Sequence, residues 1–438
     1  MRRKTAAPSR KSAAIKSAAA RPAPARRAST RPAPAAKPAP QFRQLIFDER
    51  PLQDTTWGIT TGRDGAVYVG LCGEKMGGLS VHLARYNPAT DRKDYLLDVA
   101  RALGEPPDNG RPTHSKIHYC MIPDDDGVLW CATHCTGAPL GDPIWRPWNC
   151  WMHPTKDFSG FHIFAYNPAK GDFRDFGVKG VREGSRAMAM DRRRRKLYGA
   201  TYPRNHFYVH YMDEDRYLDL GRFGDINPQA VWVDNAGNAY SVDDLGYIIR
   251  CDADTDDLEQ LDVRTPNAPF RGGTYNTVYD VAPAPGGNAV YGASWSYDMR
   301  LFRYDMDDPR NPASMHDLGR AYGPEYEDWD RFDHATHVGG MVFGDDGKLY
   351  FCASVWWKEP QGMYLVRLDT KTLEREEIGP ITDGVDQSTY IAKGTKDFDG
   401  VLYFADCSKT PTRTWQYRPQ VLAARTEEQR WAELRPWG

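Results

Sequence analysis

A short phrase recurs seven times along this chain: an apolar strand start, a turn with Asp or Gly, then a second strand with a Tyr or Trp near its middle. The second-strand copies are Ala66–Val69, Val128–Cys131, Lys196–Gly199, Asn238–Ser241, Ala289–Gly292, Lys348–Phe351 and Val401–Phe404. A spacing of roughly 40 to 70 residues is that of one four-stranded blade plus insertions, so the pattern predicts an all-β, seven-bladed β-propeller. The strand left over before the first copy, Arg43–Phe47, predicts that an N-terminal strand completes the last blade. Such closure removes the edges an open array would expose. After Pro419 the chain reads as a C-terminal extension, 420–438, with a short helix over Thr426–Leu434 packed on the outside of the 42–419 propeller.

Residues 1–41 contain only Ala, Pro, Arg, Lys, Ser, Thr, Met, Ile and Gln. Such a segment cannot bury enough apolar surface to offset its ordering entropy and reads as a disordered tail. It holds 11 of the 57 Lys and Arg and none of the 59 acids, so the near-neutral total hides a basic arm on an acidic body. The arm is either a solvated leader or a contact for a dense anionic surface such as nucleic acid, an acidic polymer or a membrane. No apolar core of a secretory signal follows the arginines, and nowhere do 18 apolar residues run together. The expectation is a soluble chain, cytoplasmic by default and extracellular or periplasmic if it cleaves an external glycan.

Eight cysteines in 438 residues do not make a disulfide scaffold. Cys72, Cys131, Cys352 and Cys407 fall in or just after second strands, where a small buried thiol is an ordinary core choice. Cys120, Cys131, Cys135 and Cys150 share one blade with several histidines, which raises zinc without any C-x-x-C spacing.

In a propeller each first strand begins, and each second strand ends, at the same face beside the central channel. Counting back about 11 to 13 residues from the repeated aromatic gives Trp57, His118, Arg186, Gln229, Tyr279, His337 and Tyr390, one per blade. Counting back about 16 gives His114, Tyr275, His334 and Gln387, and counting four forward gives Cys72, His134, Tyr202, Asp244, Trp295, Ser354 and Cys407. Blades 2 and 3 thus bring His114, His118, His134, Arg186 and Tyr202 to one sector of the mouth. A long insertion after the blade-2 second strand adds Trp145, Trp148 and Trp151, and Trp295 and Trp356 occupy the equivalent loops of blades 5 and 6. Aromatic faces suit the C–H faces of sugars, and they also pin long loops to a body.

G-x-S-x-G, Walker and H-E-x-x-H patterns are all missing from the sequence. Glycosidases need two acids, and the ring positions offer only Asp244. A β-elimination on a uronate needs a cation for the carboxylate, a base for the neighbouring proton and an acid for the leaving oxygen. Arg186 fits the first role, because a guanidinium forks onto a carboxylate. Tyr202 and one of His114, His118 or His134 fit the other two.

With these residues in place the chain resembles the propeller-type polysaccharide lyases, ulvan lyases most of all and oligogalacturonide lyases more distantly. The resemblance rests on Thr113–His118, Ala132–His134, Arg186 and Ala200–Pro203. It implies an acidic saccharide substrate and catalytic roles for His114, His134, Arg186 and Tyr202, while the register and loop readings above make His118, Trp145, Trp148, Trp151, Tyr275, Trp295 and Trp356 the candidate sugar-binding residues. His334 and His337 look like the paired histidines that hold a divalent metal, zinc, manganese or calcium, in some of these lyases. Two readings compete: a metal-dependent lactonase or other hydrolase using Asp244 and Asn276, and a propeller that binds carbohydrate or protein without catalysis. His206 and His210 alternate with apolar residues and read as outer-strand surface groups.

Overall fold

The computed structural model describes residues 42–74, 78–139, 141, 149–224, 229–266, 277–295, 299–324 and 333–435. They form seven four-stranded antiparallel sheets arranged as the blades of a propeller. The inner strands, in blade order, are Ile59–Thr61, Met121–Pro123, Gly184–Asp191, Trp232–Val233, Thr277–Pro283, Val338–Phe343 and Ile391–Lys396. The outermost strand of the last blade is Phe42–Ile46, which pairs with Arg413–Tyr417 in the register Phe42 to Tyr417 and Ile46 to Arg413. The N-terminal strand therefore closes the ring, as the leftover strand predicts. The basic segment 1–41 lies outside the described residues.

A local electrostatic device explains the repeated phrase. In blade 2 one Asp124 oxygen accepts from the backbone N–H of Asp126 and Val128, and the other accepts from Trp130 Nε1 at 3.0 Å. Asp234 does the same for Ala236, Asn238 and the Tyr240 hydroxyl, and Asp397 for Asp399, Val401 and the Tyr403 hydroxyl. One carboxylate thus satisfies the turn's donors and anchors the polar tip of a buried aromatic, which would otherwise lose its hydrogen bond to water. Blades 1 and 6 repeat the arrangement with Asp64–Tyr68 and Asp346–Tyr350. These aromatics then fill the core, with Tyr68, Tyr240, Tyr350 and Tyr403 of the second strands and Trp232 of the blade-4 inner strand essentially inaccessible to solvent.

The C-terminal helix, Glu427–Leu434, starts at a Thr426/Gln429 capping box. It lies across the face opposite the mouth, touching the turns between first and second strands of five blades. Trp431 Nε1 donates to Asp125 at 3.1 Å, Arg192 stands over the Trp431 ring, Arg63 pairs with Glu428, and Lys396 pairs with Glu433 at 2.8 Å. Arg430, itself buried, forks onto the fully buried Asp345. The sequence places this helix correctly but cannot show that it bridges blades 1, 2, 3, 6 and 7. No helix among the described residues is long and apolar enough to cross a membrane.

Candidate functional site

Six of the seven inner-strand register positions meet in one ring. Trp57 stacks on His118 at 4.5 Å and tilts against Tyr390 at 5.8 Å. His337 stacks on Tyr390 at 4.2 Å and meets Tyr279 edge-on at 4.5 Å, while the Tyr279 and Tyr390 hydroxyls bond to each other. Gln229, from blade 4, is buried in the lining of the cavity beneath. Below this ring a cavity of about 60 Å³ is lined by Tyr119, Met121, Met188, Val231 and the Asp280–Lys393 ion pair, so the channel is packed rather than open.

Arg186 reaches the ring because it is the extra residue of a β-bulge. The blade-3 register steps from Ser185–Thr201 to Ala187–Ala200, leaving Arg186 unpaired with the second strand. A bulge re-aims a side chain in this way, and it is a recurrent device beside functional sites. Tyr279 occupies the same kind of bulge in blade 5. The Arg186 carbonyl, freed from its own ladder, accepts from His118 Nδ1 at 2.7 Å and from the Tyr119 N–H at 3.2 Å. His118 therefore carries its proton on Nδ1, and its buried Nε2 has no hydrogen-bond partner.

His134 follows the blade-2 second strand and bridges Lys116 through both backbone hydrogen bonds. Its Nε2 faces Arg186 Nη1 at 3.5 Å. Because a guanidinium can only donate, that nitrogen is the acceptor and the ring proton belongs on Nδ1. His134 also contacts Trp151 at 5.4 Å, Tyr202 at 5.8 Å and His118 at 5.7 Å between ring centres. Gly184 makes room for it, since a Cβ there would stand 2.0 Å from His134 Nδ1. Arg186 lies over the Tyr202 ring at 5.3 Å, and Tyr202 is the half-buried member that meets solvent.

Burial and the neighbouring Arg186 and Lys116 cations push both His118 and His134 well below the usual imidazole range. Both rings are neutral bases at neutral pH. Burial also lowers Arg186, which makes no ion pair with any described residue and whose Nε has no partner. Lys116 stands over Trp57 at 4.2 Å and pairs with Glu74 at 2.8 Å. The other Glu74 oxygen accepts from Trp57 Nε1 at 2.8 Å. Burial alone would raise Glu74, but Lys116 and the Trp57 N–H outweigh it and hold the carboxyl low. Glu74 and Lys116 are the mouth residues that register counting missed: Glu74 lies two positions past the Cys72 strand end, and Lys116 lies midway between His114 and His118.

His114 goes elsewhere. Its Nδ1 meets Thr133 Oγ1 at 2.9 Å and its Nε2 meets Glu105 at 3.3 Å, and it packs on Phe158 and His162. Through rings it is joined to the mouth by way of Phe158, Trp151 and then His134. His337 donates from Nε2 to the Ile391 carbonyl at 2.8 Å, and burial lowers it to about 4. His334 is buried nearby, and the described residues bring no third ligand to this pair. Trp356 is exposed past the blade-6 second strand. Trp145, Trp148 and Tyr275 lie outside the described residues, as does Asn276, and only the backbone of Trp295 is described. His206 is a surface residue paired with Asp219, whereas His210 is fully buried against Phe176 and Trp130, a correction to its sequence reading. All eight cysteines are buried and none forms a disulfide, and Cys135 and Cys150 both donate to the Gly137 carbonyl.

No family model matches the chain, and no curated protein matches it. Among solved structures it is similar to the extracellular domain of the two-component system BT4673 from B. thetaiotaomicron. There the TM-score is 0.55 at 13% identity, with 88% of this chain and 40% of that one covered. The chain thus spans well under half the length of that domain. It is similar to virginiamycin B lyase from Staphylococcus aureus, with a TM-score of 0.54, 10% identity and coverage of 86% and 98%. A third likeness is to the WD40 repeats of RRP9, with a TM-score of 0.51, 9% identity and coverage of 88% and 99%. At these identities the likeness is one of fold, and the fold serves enzymes and binding proteins alike.

Proposed function

We propose that this propeller is a lyase that cleaves a uronic-acid-containing glycan by β-elimination at the blade 2–3 sector of its mouth. The observation that carries the reading is Arg186: a buried guanidinium with no carboxylate partner among the described residues, set between two neutral imidazoles and a phenol. A buried cation without a counter-ion is costly unless a ligand supplies one. A substrate carboxylate does so, and the guanidinium fork then stabilises the negative charge that builds on it when the adjacent C5–H is broken.

In this reading His134 and Tyr202 share the proton transfers. A neutral imidazole accepts the C5 proton, the electron pair of that bond becomes the C4=C5 double bond, and the C4–O bond breaks toward the leaving sugar. The phenol of Tyr202 returns a proton to that oxygen, and the imidazolium restores the phenol. His118, stacked on Trp57, presents a second lone pair beside the same guanidinium and positions it through the Arg186 carbonyl. The solvent-facing edge of Tyr202, backed by the buried Trp151, offers apolar area to a sugar ring.

The test is the ultraviolet band of the unsaturated uronate product, followed with ulvan, pectic, glycosaminoglycan and alginate oligosaccharides. The expected result is a rise with one class that is lost in Tyr202→Phe and His134→Ala. No rise with any class would sink the elimination. Retained saccharide affinity in both variants, alongside that flat trace, would make the propeller a binding module.

A further inference from the structure

Behind the mouth, on the outer side of Phe158, three side chains from separate parts of the chain meet. Glu105 comes from the connection after the Val99–Ala102 helix, His114 from the approach to blade 2, and His162 from the third strand of that blade, Gly160–Asn167. The Nε2 atoms of the two histidines lie 3.3 and 3.4 Å from the two Glu105 oxygens, and all the ligand atoms fall within 4.8 Å of one another. Among the described residues no other group of His, Cys, Asp and Glu does this. We propose that Glu105, His114 and His162 form a binding site for a divalent transition metal, zinc in the first instance.

Three features point to a metal rather than to an ordinary ion pair. With metal–ligand bonds of about 2.0–2.1 Å, the edge of a tetrahedron of ligands is ~3.3 Å, close to the 3.3 and 3.4 Å that separate each Nε2 from its nearer Glu105 oxygen. Both imidazoles are held from behind, His162 Nδ1 by Asp175 at 2.9 Å and His114 Nδ1 by Thr133 at 2.9 Å. A carboxylate on Nδ1 fixes the proton there and leaves the Nε2 lone pair for a metal, the outer-shell arrangement that orients ligating histidines. Ser159 Oγ holds Glu105 in the same way at 2.6 Å. Finally, the cluster contains two carboxylates, Glu105 and Asp175, around two almost fully buried imidazoles, so one dication balances the charge with both rings neutral. Glu105 is the ligand that reaches solvent, about a quarter exposed, so the fourth position opens on its side. Two His and one Glu with one open position is the donor set of a site that keeps an exchangeable water.

The proposal is independent of the lyase reading, because its readout is metal uptake. The full chain, stripped with a chelator, is titrated with Zn²⁺ by calorimetry and with Co²⁺ by visible absorption. Expected are one equivalent per chain and the intense absorption bands of a four-coordinate cobalt site. Asp175→Asn, which keeps all three ligands, should weaken Zn²⁺ by about 10–100-fold. The His114→Ala/His162→Ala double variant should take up none. Less than half an equivalent of Zn²⁺ in the wild type overturns the proposal, as does unchanged affinity in a folded double variant. Should the double variant fail to fold, the wild-type cobalt spectrum decides, and a spectrum like that of the aqueous ion overturns it.

Discussion

The position of His134 depends on the missing side chain of Gly184, and Gly184→Ala exposes that dependence without touching a polar group. The added Cβ would stand 2.0 Å from Nδ1, 2.8 Å from Cγ and 2.9 Å from Cε1 of the imidazole. Normal contact begins at about 3.5 Å, so the ring would have to retreat by roughly 1.5 Å. It has nowhere to go: Nε2 already stands 3.5 Å from Arg186 Nη1, and the Trp151 and Tyr202 rings close the sides. Overpacking of this kind costs about 1–3 kcal/mol. In a His134→Ala background the methyl has room, and the same substitution should cost under about 0.5 kcal/mol. Urea unfolding of the four proteins closes the double-mutant cycle, with an expected coupling of about 1–3 kcal/mol. An equal cost in both backgrounds would refute the argument that Gly184 exists to seat His134. If the proposed elimination holds, the displaced imidazole should also slow turnover by about 100-fold, the usual consequence of a 1 Å misplacement.

Two further outcomes concern the scaffold. His210 is sealed between Trp130 and Phe176 with neither ring nitrogen hydrogen-bonded, and burial lowers it to about 4. Its folded value lies below its unfolded value near 6.5, so its share of stability is complete above pH 6.5 and is lost as pH falls toward 4. That share is about 3 kcal/mol, and denaturation midpoints of His210→Leu should flatten across this window relative to wild type. On the far face, Asp345→Asn removes the charge that the buried Arg430 and Lys396 share. The expected loss is about 3–5 kcal/mol, read by urea unfolding, together with release of the C-terminal helix, which at eight residues has no stability of its own.

The sequence makes the propeller legible because its repeat records a physical requirement. In five blades the turn Asp answers one or two backbone donors and one aromatic tip, so Asp and Tyr or Trp recur there at a separation of four or six residues. Blade 5 lacks the acid, having Ala284–Asn288 at its turn, and in blade 3 Asp191 turns to Arg193 and Arg194 instead of the Tyr198 hydroxyl, yet both keep the aromatic, so the count survives two lapses. Ring closure was equally legible, since a strand without a blade has one place to pair. The mouth followed from the same register, which correctly gathers Trp57, His118, Arg186, Tyr279, His337 and Tyr390. Register tells which residue begins a strand, however, and not where a loop side chain turns. His114 and His118 are four apart on one approach segment, yet one turns out to Glu105 and the other in to Trp57.

Charge at the mouth shows why one-dimensional counting finds the cation but not its setting. Arg186 and Lys116 meet there, and the counted positions offered a single acid, Asp244, which belongs to blade 4. The fold supplies Glu74, but Glu74 is spent on Lys116 and on Trp57 Nε1. Arg186 sits within its field and outside its hydrogen bonds. The surplus positive charge is therefore concentrated on the one group that the bulge aims inward, beside imidazoles that burial and the same surplus keep neutral. An anionic ligand binding there would answer the guanidinium and, by the same field, raise the basicity of both rings as it arrives.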